Sequence, residues 1–243
     1  IAEPTLKEPP DWVEQIPKES GTIVTWSDYD RVPEGAETII RETRKWVGRT
    51  YRKSIWNGLT IHINGEIVYA IDPLYATVKK TKFENDPKAT LSEPIELPWP
   101  VDVEDAKFEG QKENITITLS LLPVEFRRTQ GAGGAKASLE RHIDDNEGLS
   151  IMRHNREVFW GAIPRWPVKG FFEEKDRWWG CEISFEPILD RSFTVKNIKR
   201  GAIPSTPLKK AIYDAIKPTI HRYKEEVSEV WAAAKLEKSK KDK

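Results

Sequence analysis

The chain has 243 residues, enough for one or two domains with a real hydrophobic core, and its 39 lysines and arginines balance 39 aspartates and glutamates. With no net charge and a mean hydropathy of −0.61, its overall balance gives no electrostatic reason to expect nucleic acid or a membrane surface. No apolar run approaches the roughly 18 residues that cross a bilayer, and the single cysteine excludes an internal disulfide and a cysteine-rich zinc site.

Residues 1–20 hold four prolines and several charges and read as an extended lead-in or linker. The opening IAEPTLKEPP has no initiator methionine and reads as part of a longer protein whose partner domain lies upstream. Residues 21–26, GTIVTW, predict a short strand, and Ser27-Asp28-Tyr29-Asp30 turns away from it. From about 36 to 56 the spacing predicts a helix, with Ile40, Val47, Tyr51 and Ile55 on one stripe and Ile39 and Trp46 beside it. Arg41, Arg44, Lys45, Arg49, Arg52 and Lys53 make the rest of that helix basic. The usual meaning of such a cluster is a solvated face; the alternative is a nucleic-acid-binding surface with these six as its contacts.

Gly58 ends the helix. Leu59, Ile61 and Ile63 then alternate with polar residues up to Asn64-Gly65, the pair that favours a type I′ hairpin turn, and Ile67, Tyr69 and Ile71 return from it. His62, on the polar face, has no metal-spaced companion and reads as a surface histidine. Residues 81–100, rich in proline and charge, suit a surface loop or an edge segment. Ile115, Ile117, Leu119 and Leu121 alternate with Thr116, Thr118 and Ser120 in a strand that ends at Pro123. Asn114-Ile115-Thr116 matches the glycosylation pattern and is taken as chance.

Residues 127–148 form the longest irregular stretch. Its QGAGGAKAS fails the Walker pattern because Lys136 follows Ala135, not glycine, so a mobile loop is the expectation. GLSIMRHNREVFW predicts a second hairpin turning near Asn155-Arg156, and residues 161–172 are apolar and broken by proline. In DRWWGCEISFEPILDRSFTVKNIKRG, Trp179, Cys181, Ile183 and Phe185 alternate with Gly180, Glu182 and Ser184, the period of a strand with one buried face. Cys181 is therefore a small core residue. The strand breaks at Pro187 and leads to a loop carrying Lys196, Lys199 and Arg200 before Gly201. Ser205-Thr206-Pro207 starts the last helix, which runs to about 235 with a bend at Pro218, and its apolar stripe is Ile220, Tyr223, Val227 and Val230 with Trp231. The tail KLEKSKKDK is basic and expected to fray.

Strands in runs, several hairpins and two long helices predict an α+β domain, a two-layer structure with helices on one sheet face. Ten tryptophans suit a core finished by large aromatic residues. No Ser-His-Asp arrangement appears, and His142, His154 and His221 are isolated.

The order of several segments resembles one family. Gly21-Thr22 with IVTW, the arginine-rich WVGRTYRKSI, GLTIHINGEIVYAIDPL, GLSIMRHNREV and DRWWGCEISFEPILDRSFTVKNIKRG look like the second domain of GHKL-type ATPases. These include gyrase B, the heat-shock-ninety chaperones, MutL mismatch-repair proteins and MORC proteins; bacterial heat-shock-ninety-like or MORC-like proteins look most similar. The likeness runs from about residue 21 to 215.

The resemblance implies a transducer domain over residues 21–204, followed by a C-terminal helix and basic tail over 205–243. Its fold would be that of ribosomal protein S-five domain two, a curved sheet with a left-handed βαβ crossover. It also implies an N-terminal ATP-binding domain in the same chain, whose catalytic glutamate, magnesium-binding asparagine and lid glycines are not found in this sequence. The fragment would hold no cofactor, whereas the longer protein would use ATP and magnesium. A homodimer and DNA are further partners it implies, a membrane is not, and the setting would be cytoplasmic. The transducer's own contribution would be a lysine that reaches the γ-phosphate: Lys199, or Lys196 as its rival. An ammonium is a compact charge suited to a phosphate oxygen. On this reading the fragment does not hydrolyse ATP by itself.

Overall fold

The computed structural model describes residues 21–25, 35–102, 106–163, 166–167, 173–194 and 202–241. The chain divides into a unit of residues 1–39 and a unit of residues 40–243. In the first, residues 21–25 are exposed and lie outside any strand, with Ile23 and Val24 facing water, unlike the strand expected there.

In the second unit, helix α1 (Ala36–Thr50, begun in the first) is followed after Tyr51 by the short α2 (Arg52–Trp56). Gly58, at φ +113°, turns the chain out of α2 as expected. Strands β1 (His62–Ile63) and β2 (Glu66–Ile67) form the expected hairpin, and Asn64 and Gly65 both take the positive φ that a type I′ turn requires.

The returning face is inverted relative to expectation. Val68 and Ala70 are buried with Ile55, while Ile67 and Tyr69 are exposed. The turn is the cause. A two-residue turn pairs Ile63 with Glu66 and His62 with Ile67, so Ile67 inherits the polar side of His62 and Val68 comes opposite Ile61.

The main sheet holds β3 (Thr90–Leu91), β4 (Ile95–Pro100), β5 (Lys112–Leu121), β6 (Leu149–Arg153), β7 (Arg156–Gly161) and β8 (Trp179–Phe185). Its order is β3-β5-β8-β6-β7, with β4 also paired to β5. All neighbours are antiparallel except β6 and β8, so the sheet is mixed. The proline-containing β4 lies at the edge, where a missing N–H is tolerated. Residues 131–140, expected to be a mobile loop, contain a 3-10 turn (Ala132–Gly134) and the short helix α3 (Lys136–Glu140).

Strand alternation divides the sheet into two unlike faces. Leu119, Cys181 and Leu149 are mutual partners on one face, and Thr118, Glu182 and Ser150 on the other. The apolar face joins one core with Leu208, Ile212, Ile216, Ile220, Tyr223 and Val227 of helix α4 (Thr206–Lys241), a stripe at helical spacing. Helix α4 continues through Pro218 and past residue 235. The polar face receives α1 and α2, because Arg52 bonds Glu182 and Ser150. Helices therefore lie on both faces, which corrects the one-sided arrangement expected: β8 is central and buried on both sides. No helix among the described residues is long and apolar enough to cross a membrane.

Candidate functional site

The six basic residues of the first helix form neither a solvated face nor an open cationic surface. Arg49 and Arg52 are 1% and 0% exposed. Arg49 Nε donates to Glu157 Oε2 at 2.7 Å, and its Nη1 donates to Asn146. Arg52 Nη1 lies 3.0 Å from the other oxygen of Glu157, while its Nη2 donates to Glu182 at 2.6 Å and Ser150 at 2.7 Å. The Ser150 hydroxyl donates in turn to Glu157 at 2.5 Å. Lys53, half-exposed, closes the cluster on Glu182 Oε1 at 3.0 Å, and the Arg49 guanidinium lies 5.1 Å from the Trp160 ring centroid.

The remaining three sit further out. Arg44 binds Glu66 at 2.5 Å and the Ile63 carbonyl at 2.8 Å, Lys45 binds Asp145 at 2.7 Å, and Arg41, the exposed one, meets Glu42. As a nucleic-acid surface the helix is thus largely occupied by its own chain.

Local structure explains how the partners converge. Glu182 follows Cys181 on β8 and so points to the opposite face from the apolar core. Glu157 and Trp160, three residues apart, would face opposite ways on a regular strand. A bulge between Ile151 and Met152 inserts Val158 and brings both to the arginines. Asp72 lies beside the cluster, its carboxylate accepting from the backbone N–H groups of Leu74, Ala76 and Thr77 at 2.9–3.0 Å.

Burial alone pulls the Arg52 guanidinium down, but Glu157 and Glu182 outweigh it and leave its pKa raised. For Arg49 burial wins over Glu157 and the pKa is lowered. Burial would raise Glu182, yet Arg52 and Lys53 hold it below the ordinary carboxylate value. Asp72 is raised by burial despite Arg52 and its backbone donors. Glu157 and Glu182 are buried and engaged by guanidinium groups, which suits them to fixing geometry. Cys181 is a buried core residue as expected, its thiol pushed up by burial.

These directions set an acid response. A depressed carboxylate stabilises the fold above its ordinary pKa of about 4.3, and that stability is lost as pH falls through its folded value. Asp72, shifted the other way, opposes this trend, while Asp86 and Asp145, also lowered, add to it. Comparing the native chain with Glu182→Gln isolates one contribution. Urea midpoints measured between pH 6 and 3 are expected to fall more steeply for the native chain than for the variant.

Lys196 and Lys199 lie outside the described residues. The described residues on either side of them bond to each other. Phe193 is buried and stacks on Phe185 at 3.8 Å, Ile203 N donates to the Phe193 carbonyl at 2.9 Å, and Thr194 Oγ1 donates to the Ile203 carbonyl at 2.7 Å. The chain thus departs and returns side by side just beyond β8. Arg153, the last residue of β6, holds Asp190 with two bonds of 2.7 and 2.8 Å.

Nothing in the local sequence pattern singles out Glu157, Ser150, Asn146 or Asp72. The one available signal was Glu182, a carboxylate between Cys181 and Ile183 in a strand with no other charged residue. His62 is exposed; His142 and His154 pair with Asp145 and Glu186 at 3.1 and 2.7 Å, and His221 lies 3.8 Å from Glu225. The glycine cluster packs locally, with Gly131 N donating to Glu174 and Gly133 against Arg177. Among the described residues no group of His, Cys, Asp and Glu could hold a metal ion. A groove of about 500 Å³ beside α4 includes Tyr213, Lys217, His221 and Lys224, the last tied to Glu173 and Asp176. Comparison with protein-family models, curated proteins and solved structures finds no match to this chain.

Proposed function

We propose that this chain is the transducer part of a GHKL-type ATPase, with a sheet of the ribosomal protein S-five domain-two kind in which the parallel neighbours β6 and β8 are joined through β7 and, among the described residues, not by an α-helical crossover. It would couple the ATP state of an N-terminal domain to conformational change or dimer closure. The observation that carries this reading is the order of the resembling segments. GLSIMRHNREV covers β6, its turn and the first half of β7, DRWWGCEISFEP covers β8 beside β6, and the cationic stretch comes after the turn that follows β8. Lys199, with Lys196 as the alternative, would meet the γ-phosphate of ATP bound with magnesium on the other domain. Loss of that contact after hydrolysis would release the two domains, an order–disorder type of switch.

The test is made in the protein extended to include the ATP-binding domain. Lys199→Ala is expected to lower ATP turnover by roughly 10- to 150-fold, the equivalent of a charge-assisted contact of about 1.5–3 kcal/mol. Turnover unchanged in both Lys199→Ala and Lys196→Ala, or no ATP-binding domain upstream, would remove the reading.

A second reading, a nucleic-acid or protein-interaction module with no nucleotide role, is favoured by one observation. The end of α4 exposes Lys235, Lys238, Lys240 and Lys241 beyond its buried stripe.

A further inference from the structure

We infer that the buried charge cluster is a mechanical coupling between the α1–α2 helix and the far end of β8, with Glu157 as its shared pivot. The inference gives the proposed transducer a physical linkage and rests on that reading for its purpose, though its test does not require ATP.

Three features carry it. The helix is interrupted at Tyr51, and a pinned arginine stands on each side of the break: Arg49 at the end of α1 and Arg52 at the start of α2. Both guanidinium groups use the same carboxylate, Arg49 on Glu157 Oε2 and Arg52 on Oε1, so neither can move away without disturbing the acceptor of the other. Arg52 then passes the constraint inward to Ser150 on β6 and Glu182 on β8, the one parallel pair in the sheet.

From there the connection runs along those two strands to their common end. His154 N donates to the Phe185 carbonyl at 3.1 Å, Arg153 grips Asp190, and Phe185 stacks on Phe193, whose carbonyl accepts from Ile203. Buried charge-assisted bonds are short and directional, and close packing leaves little room for gradual adjustment. Displacement at Arg49 is therefore transmitted to the Asp190–Thr194 turn. The β3–β4 edge lies on the far side of β5 and outside this path.

Hydrogen exchange of the chain, read by mass spectrometry, tests the coupling in both directions. Arg49→Met is expected to raise exchange about tenfold or more, the loss of one charged hydrogen bond, in α1–α2 and also at residues 186–194 and 202–205. Exchange in β4 and the paired half of β5 should stay at its native rate. Reciprocity requires that Asp190→Asn raise exchange in α1–α2. A response confined to the mutated end in either variant overturns the coupling, and so does a uniform rise across the sheet. Where Arg49→Met does not fold, Glu157→Gln serves with the same expectation. If the exchange pattern holds while ATP turnover ignores both lysines, the coupling stands and the ATPase reading falls.

Discussion

Replacing Arg52 by methionine is expected to destabilise the chain by about 3–5 kcal/mol, the usual cost of removing one partner from a buried ion pair. The side chain is 0% exposed and stands between two carboxylates that are themselves buried. Methionine fills much of the same space, so the loss is chiefly electrostatic. Glu157 keeps Arg49 and Ser150, but Glu182 is left with the half-exposed Lys53, and the Arg49 carbonyl loses its donor.

A second substitution separates charge from packing. Adding Glu182→Leu to Arg52→Met removes one buried positive and one buried negative group together, and Lys53 can turn to water. Because a buried pair replaced by apolar residues is often neutral or stabilising, the double variant should recover more than half of the loss. Urea unfolding at pH 7 gives both numbers. A double variant as weak as the single one would mean that Arg52 acts through shape and its other hydrogen bonds.

This cluster also marks where the sequence stops being legible. The apolar framework could be read because it rests on short-range periodicity: Ile115, Ile117, Leu119 and Leu121 are all buried, as are Trp179, Cys181, Ile183 and Phe185. Cys181 was placed correctly for the same reason. The first helix was placed but its buried side was not. Of its apolar stripe only Ile55 is fully buried, whereas Arg49, Thr50 and Arg52 are enclosed, because the sheet face they meet carries Glu182 and Ser150. A partner face 98 to 130 residues away cannot be seen in one helix's periodicity. Glu157 was hidden by a different cause, since its direction depends on the bulge at Val158. The inverted β1–β2 face was legible in principle: Asn64-Gly65 fixes the pairing of His62 with Ile67, and following that register would have turned Val68 inward.

Gly180 poses the opposite question, what a residue does by having no side chain, and substitution there should also be severe. It sits in the central strand β8 and points to the polar face, where a Cβ would lie 2.6 Å from the Pro73 carbonyl oxygen and 2.8 Å from Ser120 Oγ. Its backbone is not left-handed, so conformational freedom is not the reason for glycine. The reason is close approach. The turn that Asp72 organises lies directly on the strand, with Leu74 also in contact, and this places Asp72 next to Arg52 and Glu182. In an ordinary strand Gly→Ala would gain stability, because glycine loses more freedom on folding and packs less. Here the first atom met is a backbone oxygen that cannot rotate away, so the strand or the turn must move. Gly180→Ala is expected to cost about 1–3 kcal/mol, a fall in Tm of roughly 2–12 °C for a chain of this size. Gly180→Val should cost more, since its branched methyl groups enter the same gap. A melting temperature for Gly180→Ala at or above the native value would mean that the turn can lift off the strand without cost, and that Asp72 is not held in register with the charge cluster.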